Sequence, residues 1–278
     1  MRTTLRRPWG GIGVKLNDGH SLLTWTLSIC VRNHHLRRQI TSTETCCIRI
    51  DQFSFSIMTL TLYYDLLSQP SRALYIFLEK CNIPYEKKFV NLKNREQYTP
   101  EFERINPYKK VPAIEHDSFN LSESVGIVRY ISREFKVDDH WYPSDSKKQA
   151  KVDEYLEWQH LNTRLHCSAY FLAKFLNPLL RGKPPKPEKV AELEGRMSDC
   201  LDIIENVWLK DKPFLTGDTI SVADIFCACE LEQPRMAGYD PKKGRPRMTA
   251  WMERVAAETS PHYQDAHKFL NQIAAAKL

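Results

Sequence analysis

The strongest candidate for a chemical role in this sequence is a serine at a strand-to-helix junction. Ser68 stands in the segment 63–73, directly after a short apolar run that contains Leu60 and Leu62. Pro70 follows it and opens a helical pattern of apolar residues. Because the free N–H groups of a helix N-terminus favour negative charge, Ser68 is predicted to lie where an anion is held.

The elements that must position Ser68 form a small α/β unit. A strand over about 59–64 precedes the serine, a helix over about 69–81 follows it, and a second strand covers about 85–90. Two further short strands lead into a helix whose apolar residues recur at helical spacing. The predicted order is strand, helix, strand, helix or loop, strand, strand, helix.

The rest of the chain is predicted to be helical. One long amphipathic helix is expected over 148–176, ending at the pair Asn177-Pro178. Ser221 and Asp224 have the spacing of a capping box, a structural cap at the start of a later helix. We therefore expect two domains, which cover residues 58–138 and 146–278.

Residues 1–57 differ in composition from the rest of the chain. They carry eight basic residues against three acidic ones, so most of the net charge of +6 belongs to them. The remainder is close to neutral, which argues against a nucleic-acid partner. We expect this extension to be disordered or absent from the mature protein, with Met58 as the working start. The alternatives are an arginine-rich mitochondrial transit peptide and a signal peptide around the apolar run 22–31.

The eight cysteines do not indicate a metal site. No two form a C-x-x-C pair, and the clusters Cys46-Cys47 and Cys227-Ala228-Cys229 have no histidine at ligand spacing. The cysteines beyond residue 58 lie mostly in helical patterns, which is typical of buried, reduced thiols. We expect no metal, no membrane partner and a cytoplasmic location, or a mitochondrial one if residues 1–57 act as a transit peptide.

Several motifs, taken in order, resemble those of the cytosolic glutathione transferases. They are Ser68-Gln69-Pro70, Val111-Pro112, Glu123-Ser124 and the Ser221–Asp224 box. The stretches 64–73, 141–143 and 152–160 resemble the theta class in particular, and the resemblance runs from Met58 to about residue 270. It implies a thioredoxin-like α/β domain of order βαβαββα followed by an all-α helical-bundle domain, and a homodimer.

The resemblance also implies an activity. A member of this family adds the thiolate of reduced glutathione, a co-substrate, to hydrophobic electrophiles such as halides and epoxides, and some members reduce hydroperoxides. No bound cofactor is required. Because the same fold also serves as a binding or structural unit in relatives, a non-catalytic glutathione-binding module is the alternative.

The resemblance assigns the glutathione contacts residue by residue. Backbone groups of Val111, before the proline that the family keeps cis, pair with the cysteinyl part of the tripeptide. Glu123 and Ser124 take the γ-glutamyl end at a helix start. The remaining contacts are Gln97, Tyr98, Lys110 and Pro112. Theta enzymes often have histidine where Gln97 stands, so this contact is expected to be weaker and insensitive to pH near neutrality.

Arg164 matches a family position that reaches the active site from the helical domain. The alternative interpretation is that Arg164 is an ordinary solvated arginine on a helix face. The expected wall of the electrophile site also includes Leu66, His160, Leu161 and Met236.

The chemistry assigned to Ser68 is hydrogen-bond donation to sulfur, because a serine hydroxyl does not remove a thiol proton at neutral pH. A thiol of pKa ~8.5 is only about 3% ionised at pH 7, and lowering its pKa to ~6.5 requires about 2.7 kcal/mol. One charge-assisted hydrogen bond supplies ~1.5–3 kcal/mol and a helix N-terminus adds ~0.3–1 kcal/mol.

Three nearby hydroxyl groups compete with Ser68 for this role. Tyr63 and Tyr64 lie on the strand where other transferase classes place a catalytic tyrosine, but we expect them to pack in the core on alternate strand faces. Ser71 lies beyond Pro70 and is expected to satisfy backbone N–H groups.

Overall fold

A computed structural model describes residues 59–276 of the chain. The expected extension 1–57, its alternative explanations and the start at Met58 lie outside the described residues. The described residues belong to one compact unit, so the expected division into domains at 58–138 and 146–278 stays a prediction.

The sheet has four strands in the order β2-β1-β3-β4. Strand β1 pairs parallel with β2 and antiparallel with β3, and β3 pairs antiparallel with β4. The strands are β1 (Leu60–Tyr64), β2 (Glu86–Phe89), β3 (Ala113–His116) and β4 (Phe119–Ser122). All four lie where the sequence predicts them, within two residues.

Three helices complete the α/β part: α1 (Gln69–Lys80), α2 (Pro100–Ile105) and α3 (Ser124–Glu134). Helix α1 begins at Gln69, as predicted, has Pro70 in its first turn, and buries Leu74, Phe77 and Leu78 completely. These side chains share one apolar core with Leu62 and Ile114 of the sheet. The observed order, βαβαββα, confirms the thioredoxin-like prediction.

The remainder is helical, as predicted. Its helices are α4 (Ser146–Leu161), α5 (Thr163–Phe171), α6 (Asn177–Arg181), α7 (Pro187–Ile203), α8 (Val222–Glu232), α9 (Pro246–Glu258) and α10 (His262–Ala275). Every residue of α8 is buried, so the other helices pack around it. No helix among the described residues is both long and apolar enough to cross a bilayer.

The prediction of one unbroken helix over 148–176 was wrong. The chain breaks at Asn162, whose backbone (φ −121°, ψ −95°) is not helical and whose side chain donates to the Trp158 carbonyl at 2.8 Å. After α5 the chain continues through a π-helical turn, Leu172–Leu176, into α6. Pro178 does not end the helix, because proline is tolerated in a first turn, where its missing N–H is not needed.

All five cysteines of the described range are free, and four of them are buried. Burial raises the pKa of the Cys227 and Cys229 thiols, the latter to about 12. The prediction of buried, reduced thiols is confirmed for these four. Cys81 is only half-buried.

Asp224 does more than cap a helix. Its carboxylate is fully buried and accepts hydrogen bonds from the Ser221 N–H at 2.9 Å and the Ser221 Oγ at 3.1 Å. It also accepts from the Leu215 N–H and the Trp251 Nε1–H, each at 2.9 Å. One carboxylate therefore joins the start of α8 to the preceding loop and to α9.

We expect Asp224→Ala to lower the free energy of unfolding by on the order of 3 kcal/mol, because buried donors lose their acceptor. Urea unfolding of the full chain measures this change. The matched control is Asp218→Ala, which removes an exposed carboxyl from the same loop and should change stability by less than about 0.5 kcal/mol. Equal effects of the two substitutions would contradict the role assigned to Asp224.

His267 should make stability depend on pH. Its Nδ1 donates to the Tyr263 carbonyl at 2.8 Å, which leaves Nε2 buried without a partner among the described residues. Burial, followed by the nearby Arg72 charge, lowers its pKa to about 4. The unfolded chain binds this proton near pH 6.5, so the stabilising contribution is complete above pH 6.5 and is lost as the pH falls towards 4.

At pH 5 this single group should destabilise the fold by about 2 kcal/mol relative to pH 7.5. His267→Gln has no group that titrates in this interval. We expect the loss of stability between pH 7.5 and pH 5, measured by urea unfolding, to be about 2 kcal/mol smaller in this variant. An identical loss in both proteins would show that His267 does not titrate as described.

Candidate functional site

Three segments that carry predicted site residues lie at the same end of the strands. In the β1–β3 pair Tyr63 lies opposite Ala113, and in the β3–β4 pair Ala113 lies opposite Ser122. The loop after β1, the segment before β3 and the segment after β4 are therefore neighbours. They contain Ser68, Val111 and Glu123 respectively.

Ser68 occupies the N-cap position of α1 and is half-buried. Its backbone is extended (φ −84°, ψ 126°), and its side chain accepts no hydrogen bond from the helix. Instead the hydroxyl donates to the carbonyl of Val111, which lies 3.4 Å away and 43 residues further along the chain. At that length the hydrogen bond is weak, so the hydroxyl is available to a stronger acceptor placed beside Val111.

The loop that presents Ser68 is shaped by Asp65. Its carboxylate accepts from the Leu67 N–H at 2.8 Å and from the Leu92 N–H at 3.0 Å, while its carbonyl accepts from the Ser68 N–H at 2.9 Å. Asp65 is buried. It thus fixes the turn before Ser68 and ties that turn to the segment after β2.

Arg72 holds the same loop from the other side. Its fully buried guanidinium donates to the carbonyls of Leu66 at 2.9 Å and Leu67 at 3.4 Å. It also donates to the Cys229 carbonyl at 3.1 Å and to Gln233 Oε1 at 2.6 Å. Burial lowers the pKa of Arg72, an effect that the nearby Glu230 and Glu232 oppose. The serine loop is therefore fastened to helix α8 and the turn that follows it.

The competing hydroxyl groups near Ser68 are engaged or enclosed. Tyr63 donates to Glu115 Oε2 at 2.8 Å and packs against Phe102. Burial and this carboxylate raise the pKa of Tyr63 to about 12. Tyr64 is half-buried and stacks on Tyr75. The prediction of core packing is confirmed for Tyr63, whereas Tyr64 packs against the core from its edge. Ser71 is completely buried, and its Oγ has no hydrogen-bond partner among the described residues, so the expectation that it satisfies backbone N–H groups was wrong.

The Val111–Pro112 peptide bond is cis, as the family resemblance implies. Asn106 organises the loop that precedes it, since its side chain donates to the Lys110 carbonyl at 2.6 Å and accepts from the Tyr108 N–H at 3.0 Å. Lys110 itself is exposed. The loop therefore holds the Val111 backbone in place while the ammonium group of Lys110 faces solvent.

Glu123 and Ser124 lie at the start of α3. Glu123 has a left-handed backbone (φ 67°), which is strained for a residue with a side chain, and its side chain is exposed. Ser124 is the first residue of α3, where free backbone N–H groups accumulate. This arrangement suits a ligand that carries both an ammonium group and a carboxylate.

Gln97 and Tyr98 belong to a short 3-10 turn, Glu96–Tyr98. Gln97 Oε1 is buried and has no hydrogen-bond partner among the described residues. Tyr98 is exposed, and the Arg95 guanidinium lies 5.2 Å from its ring centre.

Arg164 lies on α5 and forms an ion pair with the buried Glu230 of α8 at 2.7 Å. About a third of the Arg164 side chain remains exposed. Burial raises the pKa of Glu230, while Arg164 is the first of the neighbouring groups that lower it. Since α8 also accepts hydrogen bonds from Arg72, Arg164 is connected to the serine loop through this helix. It is not the freely solvated arginine of the alternative prediction.

The expected electrophile wall divides into exposed and buried residues. Leu161 is 75% exposed, His160 is exposed and Leu66 is half-buried. Met236 is only 1% exposed and packs with Phe171 and Leu270. Met236 therefore supports the helical part from within, and the expectation that it lines an accessible surface needs this correction.

Sequence reasoning missed the residues that hold the loops: Asp65, Arg72, Asn106 and Gln233. Asp65 and Asn106 carried a signal, because Asp and Asn next to a turn commonly accept from backbone N–H groups two residues on. Arg72 and Gln233 carried none, since their contact joins positions 161 residues apart.

Comparison with known proteins places these residues in context. Residues 58–133 match the model of the glutathione S-transferase N-terminal domain, and residues 166–258 match that of the C-terminal domain. Mouse glutathione S-transferase theta-3 is 43% identical over 76% of this chain and 88% of its own length. Human glutathione S-transferase theta-1 is 41% identical over 77% of this chain and 89% of its own length.

Solved structures agree with the fold. Human glutathione S-transferase T1-1 in its apo form superimposes with a TM-score of 0.75 at 40% identity, covering 78% of this chain and 91% of that one. A human theta-class transferase in complex with the glutathione conjugate of 1-menaphthyl sulfate also has a TM-score of 0.75, at 38% identity, with 79% and 90% covered.

We expect Arg72→Leu to lower the free energy of unfolding by on the order of 3 kcal/mol, because buried carbonyl groups of the serine loop and α8 lose their donor. Hydrogen exchange of the Leu67 and Ser68 amides should accelerate in this variant. The matched control is Arg133→Leu, an exposed arginine on α3, which should leave both quantities nearly unchanged. Unaltered exchange in Arg72→Leu would show that the guanidinium does not hold the loop.

Proposed function

The chain belongs to the glutathione S-transferase family, with theta-class members among its relatives, and from this premise we propose how its residues carry out glutathione conjugation. The chain is an enzyme that transfers glutathione to electrophiles. The roles that we propose for individual residues are inferred from the geometry described above.

The observation that carries this assignment is the approach of Ser68 Oγ to the Val111 carbonyl. In our proposal the cysteinyl part of glutathione pairs with the Val111 backbone, which brings its sulfur next to the serine hydroxyl. The hydroxyl then leaves its weak carbonyl partner and donates to the sulfur, favouring thiolate over thiol. The N-terminus of α1 adds a favourable field for the same negative charge.

The two ends of the tripeptide have separate sites in this proposal. The γ-glutamyl ammonium pairs with Glu123, and its carboxylate receives the Ser124 hydroxyl and the first N–H groups of α3. The strained backbone of Glu123 supports this role, since such strain is commonly retained where it places a binding group. The glycine carboxylate lies toward Lys110, Gln97 and Tyr98.

The electrophile approaches from the side of Leu66, His160, Leu161 and Arg164. The thiolate sulfur forms a bond to the electrophilic carbon, and the leaving group departs with the bonding electrons or an epoxide ring opens. The thiol proton has already passed to solvent, so no residue must act as a base at this step. Arg164 lies beside Glu230 and is suited to contact an anionic leaving group. The physiological electrophile, the cytoplasmic location and the homodimer stay predictions.

We expect Ser68→Ala to raise the thiol pKa of bound glutathione by about 1–2 units, because one charge-assisted hydrogen bond is lost. Because the thiolate fraction at pH 7 then falls from roughly 75% to roughly 25–3%, conjugation of an aralkyl halide should slow by about 3- to 25-fold, and the rate should recover as the pH approaches 9. Both effects are measured on the purified full chain, saturated with glutathione, as the pH dependence of kcat/KM for the halide.

The matched control is Ser71→Ala, which removes a buried hydroxyl three residues away and should leave the pH profile unchanged. Equal rates for Ser68→Ala and the parent protein would refute the role of Ser68. Glutathione binding without turnover of any halide, epoxide or hydroperoxide would favour the non-catalytic module instead.

A further inference from the structure

A surface far along the sequence from Ser68 has an unusual charge. Residues 172–186, here called the basic tip, contain the π-helical turn, α6 and the proline-rich connection to α7. Their charged residues are Lys174, Arg181, Lys183 and Lys186, and none is acidic. The described residues as a whole hold equal numbers of basic and acidic side chains, 31 of each. The basic tip therefore carries four positive charges, and the rest of the described chain, with 27 basic and 31 acidic side chains, carries a net charge of −4.

The basic charges of the tip are not neutralised by neighbours. Among the described residues, the ion pairs of this region begin only at Lys189, which pairs with Glu192 at 2.9 Å. The four basic residues of the tip are exposed to solvent and form no ion pair within the described range.

Two large apolar side chains protrude between these charges. Leu179 is 68% exposed and Leu180 is 73% exposed, although both lie on a helix of a folded protein. Gly182 ends this helix in a left-handed conformation (φ 61°), and Pro184 and Pro185 follow. The two leucines are thus largely exposed at the end of α6, just before the proline-containing connection.

A cleft adjoins Leu179. It has a volume of about 350 Å³ and is lined by Lys174, Phe175, Pro178, Leu179, Gly182, Lys183 and Pro184. Its lining therefore combines two lysines with several apolar residues. That combination suits a group with a phosphate at one end and a hydrocarbon at the other.

The charge pattern decides between possible occupants. A second copy of the same tip would bring eight positive charges together, and like charges repel. Single-stranded nucleic acid needs several exposed aromatic rings, whereas the tip has one, the half-buried Phe175. An anionic bilayer accepts leucines at its interface and attracts lysines and arginines at its headgroups.

We propose that the basic tip is a peripheral docking surface for anionic phospholipid membranes. Leu179 and Leu180 enter the interfacial region of the bilayer, and the four basic side chains contact lipid phosphates. This proposal differs from the earlier prediction of no membrane partner. That prediction considered the chain as a whole and did not consider this local cluster of basic and apolar residues. It does not depend on the proposed roles of Ser68 or Arg164.

Co-sedimentation of the purified full chain with vesicles tests this proposal. We expect at least about tenfold stronger binding to phosphatidylcholine vesicles that contain 30% phosphatidylserine than to pure phosphatidylcholine, and most of it should be lost at 0.5 M salt. The double variant Leu179→Ser with Leu180→Ser, and the double variant Lys183→Glu with Lys186→Glu, should each weaken binding at least about fivefold.

Matched controls change similar side chains elsewhere. Val207→Ser removes another exposed apolar residue, and Lys147→Glu with Lys148→Glu reverses two exposed charges on α4. Both should bind vesicles as the parent protein does. All variants should retain the parent's conjugation rate in solution, which confirms that they are folded.

Hydrogen exchange locates the contact, because residues 1–57 are also basic. Anionic vesicles should protect amides in 172–186. The proposal is overturned if no vesicle binds, if protection is confined to 1–57, or if the leucine variants bind like the parent. It is also overturned if glycerol phosphate alone gives the same protection, because that result indicates a site for small anions. Equal binding of polyglutamate to the parent and the leucine variants would overturn it as well, because that result indicates an acidic protein partner.

Discussion

A single buried guanidinium connects the two halves of this protein. Arg72 is on the first helix of the α/β part, yet two of its four acceptors belong to α8 and the turn after it. A buried arginine must find several acceptors at once, and three backbone carbonyls and the Gln233 side-chain oxygen supply them here. The position of the Ser68 loop is therefore set by the packing of the helical part as well as by the sheet. Any rearrangement of α8 would move the carbonyl groups that Arg72 bridges.

Helix α8 illustrates how a completely buried helix can also carry charge. Three of its residues are carboxylates, and each has partners from a different element. Asp224 accepts from Trp251, Glu230 pairs with Arg164, and Glu232 accepts from Tyr263 at 3.0 Å. Since an unpaired carboxylate in such surroundings would be very costly, these contacts fix the neighbouring helices in one arrangement. The helix is thus both the apolar centre and the polar centre of its half of the chain.

The sequence was informative where the relevant physics is local. The proline in the first turn of α1 and the Ser221–Asp224 spacing act within a few residues, and both appear in the structure. The break at Asn162 was missed because the apolar spacing continues across it. Arg72 and Gln233 were missed because their contact depends on tertiary packing alone. Met236 was expected to line the electrophile site, but only the folded chain reveals that it packs with Phe171 and Leu270 in the interior.

The positive tip and the remaining described residues, which carry a net charge of −4, give the described part of the molecule an electric dipole moment. A dipole experiences a torque in a field, so the protein would rotate before it touches an oppositely charged surface. The tip would arrive first, because the field of the surface acts over roughly 8 Å at physiological salt. Orientation would then be decided during diffusion, and α5, which carries Arg164 and leads into the tip, would be inclined towards that surface. Apolar compounds accumulate at such surfaces, so the local concentration of electrophiles near the enzyme would exceed that in the bulk.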